Sequence, residues 1–290
     1  MDKLFEIHNM SCSYDKSKRG DDHKMVLEIK DLVLPRGKKI FIVGESGIGK
    51  STILEVLGMM NNTIVPNPET QFVFYDINGR TINLIDLWHR NNDRELSEFR
   101  RMHFNFIFQN TNLMRNFTAY ENVAITRMLQ GYSRYSTFKR TAAVLEDLGL
   151  RHIHEERKAQ ELSGGQQQRL SFARAILPDF TVLFGDEPTG NLDSDNAIKV
   201  MQILSDKLTQ LEGSSAIIVS HDMHIAATFA DIVIKIRKQS RINESLGETT
   251  FYGVVDQSCI YVRDSEMADT WTNGEDIYPT PAFELFLKRI

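Results

Sequence analysis

Residues 39–57 read KIFIVGESGIGKSTILEVL, and this run decides the fold. KIFIV is an apolar, β-branched run of strand length. Gly44, Gly47 and Gly49 follow it, and a helical pattern opens at Ser51. Strand, glycine loop and helix form the context that the pattern G-x-x-x-x-G-K-[ST] requires, and Gly44 to Ser51 matches it. Glycines there let backbone N–H groups curl round a phosphate with no Cβ in the way. The helix beginning at the loop turns its positive dipole end to the same anion. Lys50 reaches the outer phosphates as a point charge, and Ser51 offers Mg²⁺ a hydroxyl. Gly44, Glu45, Ser46, Gly47, Ile48, Gly49, Lys50, Ser51 and Thr52 are therefore expected to hold a nucleotide's phosphates.

Outward from the loop, MVLEIK (25–30) precedes it as a second strand, with Pro35, Arg36 and Gly37 between the two. QFVFY (71–75) reads as a further strand closed by Asn78-Gly79, and residues 61–70, with Pro66 and Pro68, as loop. TVLF (181–184), AIIVS (216–220) and IVIKI (232–236) are short apolar runs of buried-strand type, and DNAIKVMQILSDKLTQL (195–211) is an amphipathic helix between them. Strands alternating with helices predict an α/β fold with a mainly parallel sheet. The stretch 112–162 breaks that alternation and reads as helical. In TFKRTAAVLEDLGL (137–150), Phe138, Ala142, Leu145 and Leu148 recur at helical steps and Gly149 fits a C-cap. QQQRLSFARAIL (166–177) puts Leu170, Ala173 and Leu177 on one face before Pro178 stops it.

TVLFGDEP (181–188) is an apolar strand ending in two acids. Asp186 sits where a carboxylate holds Mg²⁺ through its water shell, and Glu187 is the candidate to orient or deprotonate an attacking water. A solvated strand end has the same look. The phosphate loop upstream favours the catalytic reading.

LSGGQQQR (162–169) lies about 110 residues beyond the loop, directly before a helix. Ser163 with Gly164 and Gly165 at a helix start is a second anion-binding end. The string resembles the signature of the ATP-binding-cassette (ABC) ATPases, and other family motifs follow in order. Gln109 in FIFQN is similar to the Q-loop glutamine, which the family assigns to Mg²⁺, water and coupling to a membrane partner. Asn191-Leu192-Asp193 resembles the D-loop, and His221 in IIVSHD the switch histidine that touches the γ-phosphate. Tyr14 in SCSYDK is similar to the aromatic that stacks on adenine. The resemblance covers residues 1 to about 240.

It implies a P-loop NTPase core with a mainly parallel sheet, an antiparallel β subdomain and an inserted α-helical signature subdomain at about 110–175. It implies ATP and Mg²⁺ as cofactors. Lys50, Gln109, Glu187 and His221 would be catalytic, and Ser51, Gln109 and Asp186 would serve the metal. Ser163, Gly164, Gly165, Gln166 and Asp193 would complete the nucleotide site across a dimer, because one subunit's phosphate loop faces the other's signature. Hydrolysis would separate the halves and move an integral membrane permease-type partner. FIFQNTNLMRNFTAYENV (106–123) and DEPTGNLD (186–193) resemble the lipoprotein-release, MacB-type efflux and FtsE-type group of force-transmitting cassettes. The competing reading is a soluble ABC ATPase without a membrane partner.

Composition bounds the rest. The chain has 290 residues, 41% hydrophobic and 25% charged, which suits folded domains and excludes wholesale disorder. A net charge of −5 is no polybasic nucleic-acid chain. Cys12 and Cys259 make neither a disulfide framework nor a zinc pair. No apolar run approaches the roughly 18 residues of a spanning helix and MDKLFEIHNM has no signal-peptide core, so a soluble protein is expected. The family resemblance implies a place on the cytoplasmic face of the membrane, with another chain supplying the span. Three stretches depart from a compact cassette: the charged DKSKRGDDHK (15–24), the longer 61–95, and the tail 241–290. From Ser240 onward, four Lys and Arg face nine Asp and Glu. TTFYGVV and CIYVRD read as two strands with a turn at Asp256, while Trp271, Tyr278 and Phe283 predict a packed tail with a short helix.

Overall fold

The computed structural model describes residues 2–15, 24–151, 153, 156–243, 248–264 and 269–289. Most of the expected charged insert at 15–24 lies outside the described residues.

Among the described residues the main sheet has eight strands. Its parallel half is β3 (Lys39–Val43), β6 (Phe104–Ile107), β7 (Val182–Asp186), β8 (Ser215–Val219) and β9 (Ile232–Lys235), in the order β9-β3-β8-β7-β6. The alternating pleat explains their apolar runs. Ile40 and Ile42 enter one core while Phe41 and Val43 enter another, and Ile217 and Ile218 divide the same way. A strand buried on both faces has no polar side to show.

The first core lies against an antiparallel sheet built from β1 (Lys3–Ser13), β2 (Met25–Pro35), β4 (Gln71–Tyr75) and β5 (Thr81–Asn83). Phe5, Phe74, Phe104 and Phe184 form an aromatic cluster there, with ring centroids 5.1–6.5 Å apart. Helix α1 (Lys50–Leu57) buries Ile53, Val56 and Leu57 in the same core. The 61–95 stretch is built into it too, through Ile64 and through Leu84 and Leu87 of α2 (Leu84–His89). Helix α3 (Asp93–His103) adds Leu96 and Phe99.

On the other face lie α4 (Ala119–Leu129), α5 (Arg134–Asp147), α6 (Gly164–Ile176), α7 (Ser194–Gln210) and α8 (Met223–Phe229). The α5 face differs from the expected one. Thr137, Thr141, Leu145 and Leu148 are buried, while Ala142 is exposed and Phe138 only half-buried. Thr141 satisfies its hydroxyl on the Thr137 carbonyl at 3.0 Å, which lets that threonine sit in the core. Gly149 ends this helix at φ +68°, with Leu150 N–H donating to the Leu145 carbonyl at 2.7 Å.

After residue 236 the chain is woven into both sheets. β10 (Arg237–Asn243) and β11 (Glu248–Val255) extend the antiparallel sheet beside β2. β12 (Ile260–Arg263), β13 (Thr270–Thr272) and β14 (Ile277–Pro279) extend the main sheet beside β9, and α9 (Thr280–Lys288) packs on α8. TTFYGVV and CIYVRD therefore pair with different sheets and not with each other. The expected two strands and helix undercount the segment. The expected division near residue 240 falls inside β10.

Candidate functional site

The phosphate loop lies between β3 and α1. Gly47 and Gly49 sit at φ +76° and +99°, where a side chain is strained, and Gly49 caps α1. A Cβ on Gly49 would stand 3.2 Å from the Val26 carbonyl of β2. Lys50 is buried, and its ammonium donates to the Gly44 and Glu45 carbonyls at 2.8 and 2.7 Å. Burial pushes its pKa down, against an upward pull from the Glu187 and Asp186 carboxylates. Lys50, Asp186 and Glu187 thus share one electrostatic neighbourhood. The Lys50 ammonium rests on carbonyls of its own loop.

Both acids stand at the end of β7, beside the end of β8. β7 ends at Asp186, and Glu187 follows at φ +49°, a left-handed conformation uncommon outside glycine. Its N–H is fixed on the Val219 carbonyl of β8 at 3.0 Å. His221, just beyond β8, places Nε2 2.8 Å from Glu187 Oε1. The parallel pairing of β7 with β8 thus brings together two residues separated in sequence. The sequence reading named both but not their mutual bond.

Ser51 and Asp186 line one cleft of about 290 Å³, with Glu55 and Phe106 on its walls. A hydroxyl and one carboxylate are hard oxygen donors. Among the described residues no cluster of three His, Cys, Asp or Glu forms a protein cage. That donor set fits Mg²⁺, which keeps several waters and completes its shell with phosphate oxygens. Gln109 is exposed two residues past the end of β6, beyond this cleft's lining.

Tyr14 is half exposed, and its hydroxyl lies 3.1 Å from both Thr52 Oγ1 and Glu55 Oε2. Thirty-odd residues upstream of the loop in sequence, it stands beside the first turn of α1 in space.

Ser163 caps α6. Its hydroxyl accepts from Gln166 N–H at 3.4 Å, while Gln166 Oε1 accepts from Ser163 N–H at 3.0 Å. A Cβ on Gly164 or Gly165 would meet nothing within 4 Å, and neither residue has a positive φ. Nothing in the chain's own backbone or packing demands glycine there. Asp193 caps α7 by accepting from Asn196 N–H at 2.9 Å, and the Asn196 hydrogen bonds hold its carboxyl below the usual range.

Two residues of the signature helix tie these parts together without belonging to the expected set. Gln168, buried, donates to the Pro188 carbonyl just past Glu187 at 3.1 Å. Arg174 donates to the Thr111 and Asn112 carbonyls at 2.8 Å each, just past Gln109. Neither has a signal beyond its place in a helix.

A family model described as "ABC transporter" matches residues 27–190. The chain belongs to the ABC transporter family. It is 38% identical over 218 residues to the macrolide export ATP-binding/permease protein MacB of Pectobacterium atrosepticum, covering 75% of this chain and 31% of that protein. It is 35% identical over 226 residues to the lipoprotein-releasing system ATP-binding protein LolD of Colwellia psychrerythraea, covering 78% of this chain and 81% of that one. The chain spans about a third of the MacB relatives it matches. Among solved structures, the dimeric MJ0796, a bacterial ABC transporter cassette, is similar with a TM-score of 0.67 and 32% identity over 80% of this chain and 94% of that one. A dimeric post-hydrolysis state of MJ0796 bound to ADP and Pi has a TM-score of 0.65 with the same coverage. The fold thus matches that of an ABC transporter cassette over about four fifths of the chain. Among the described residues, no helix is long and apolar enough to cross a membrane.

Proposed function

We propose that this cassette binds Mg-ATP and hydrolyses it as one half of a dimer that drives a membrane protein partner from the membrane's cytoplasmic face. The observation that carries the chemistry is the convergence of Lys50, Asp186, Glu187 and His221 on one site. On nucleotide entry, the Lys50 ammonium exchanges the Gly44 and Glu45 carbonyls for phosphate oxygens. Ser51 and Asp186 would hold Mg²⁺, which would supply positive charge beside the phosphates. Glu187, fixed by the Val219 carbonyl and by His221, takes the proton of the attacking water. His221 and Gln109 orient the γ-phosphate and the water. Tyr14 stacks on adenine.

The signature end supports the dimer. Two helical glycines cost stability in a free chain, and here they leave open space above a capped N-terminus. That space suits a phosphate bound to a second subunit, reached by Ser163 and Gly165, with Asp193 at the same interface. The dimeric state of the MJ0796 cassette supports the same arrangement. The partner would be a permease-type membrane protein, which the ATP-binding/permease name of the MacB relative supports, and of the force-transmitting type that residues 106–123 and 186–193 resemble.

The test uses Glu187→Gln. With Mg-ATP, light scattering should show a stable dimer, and phosphate release should fall by a factor of at least about 100. Turnover near wild type would remove Glu187 from its role. A variant that binds ATP and stays monomeric would remove the sandwich.

A further inference from the structure

Strands β9 and β12 are neighbours in the main sheet, with Ile260 opposite Ile234. A short turn would join them. The chain instead spends residues 236–259 on an excursion into the other sheet, as the hairpin β10–β11.

The hairpin sits directly against the phosphate loop. A Cβ on Gly253 of β11 would stand 2.2 Å from the Ile48 carbonyl, so only glycine fits there. Lys238 of β10 is directly opposite Gly253, and directly opposite residues share a face. Phe251, two residues before Gly253, shares it too. The face that meets the loop therefore carries Lys238 and Phe251. The Lys238 ammonium donates to Glu45 Oε2 at 2.6 Å and lies 5.0 Å from the Phe251 ring centroid. Glu45 is the second residue of the loop, and its carbonyl is one of the two that hold Lys50.

A carboxylate at this position opposes the loop's task, because a polyanion must settle beside it. Lys238 offsets that charge and pins the side chain of the residue whose carbonyl Lys50 must leave. We propose that the β10–β11 hairpin is part of the nucleotide site, with Lys238 a positioning residue that neutralises Glu45 and so sets affinity for the triphosphate. This rests on the reading of the loop as an ATP site.

The experiment titrates the full chain with a fluorescent N-methylanthraniloyl ATP and Mg²⁺. Lys238→Ala should raise Kd roughly three- to tenfold, and high salt should shrink the difference, as for a partly exposed charge pair. Lys238→Arg should restore binding. The double variant Glu45→Gln/Lys238→Ala should bind within about twofold of Glu45→Gln alone, because the charge to be offset is gone. A merely structural role for Lys238 would leave the loss undiminished in the Glu45→Gln background, and that result overturns the proposal. So does a Lys238→Ala variant that binds like wild type while wild type binds normally. Failure of wild type itself to bind would instead bring down the reading of the loop, and this inference with it.

Discussion

Single residues in this cassette divide by what their neighbours explain. Gly49 is demanded from within, by a φ of +99° and the Val26 carbonyl. Gly164 and Gly165 are not, since both lie in helix α6 with room for a side chain. Glycine in a helix is less stable than alanine by about 0.5–1 kcal/mol. Gly165→Ala should therefore stabilise the nucleotide-free protein by about that amount in urea unfolding. If Gly165 serves a phosphate on a second subunit, the same change should cut ATP turnover at least about tenfold. A variant that is both more stable and fully active would show that the glycine serves nothing outside the chain. Lys50, Ser51, Asp186 and Glu187 could be named from sequence because each chemical task needs one residue type at one offset from a strand end, whereas His221 could be named only through the family resemblance of IIVSHD. Lys238 and Gly253 could not. Their value comes from a strand pairing that brings them against a loop about 200 residues earlier.

Among elements, the inner strands β1 and β4 of the antiparallel sheet share a polar cluster. Glu6 of β1 accepts from Lys3 at 2.7 Å and from the Tyr75 hydroxyl of β4 at 2.5 Å. The Lys3 ammonium, with the Tyr75 hydroxyl next, holds the Glu6 carboxyl down to about 2 against an ordinary 4.5. A depressed carboxylate adds stability that is complete above the ordinary value and is lost as pH falls toward the depressed one. Glu6→Gln should cost about 0.5–1 kcal/mol at pH 7, a figure kept small because the cluster is partly exposed and solvent-screened. The gap between the two proteins should begin to close below pH 4.5 and vanish near pH 2. Paired denaturant titrations at pH 7 and 3.5 check this, and a gap equal at both values would deny Glu6 that role. The same strand shows why elements were unequally legible. β3 and β8 announce themselves as unbroken apolar runs because both faces are buried. β1 alternates less clearly, since its eleven residues face a core on one side and the Glu6 cluster on the other. In α5 the buried stripe includes Thr137 and Thr141, so a search for apolar periodicity finds Leu145 and Leu148 but selects Phe138 and Ala142 in place of the threonines.

For the whole molecule, the question is whether the segment after β12 is an appendage or part of the cassette. The sequence showed that it packs, through Trp271 and Phe283, but could not show on what, because sheet membership is a non-local property. Trp271, Phe283 and Leu287 are fully buried, and they join Phe41, Val43 and Ile218 of the central strands in one core. The Trp271 and Phe283 rings stack at 4.6 Å. Lys235, at the end of β9, donates to the Phe286 carbonyl at 3.1 Å. His224 of α8, three residues past His221, lies 3.2 Å from Glu284 of α9. An element so placed should not melt alone. Truncating a buried phenylalanine costs about 3–5 kcal/mol, and a domain's whole stability is about 5–15 kcal/mol. Phe283→Ala should therefore lower the thermal midpoint of the entire chain, by several degrees, in one transition. Followed by Trp271 fluorescence in a Trp88→Phe background and by circular dichroism, the two melting curves should coincide. An early Trp271 transition that leaves the circular dichroism curve and ATP turnover at wild-type values would mark the segment as a separable unit. Coincident curves would mean that α9 braces α8, and through it the strand end that presents His221 to Glu187.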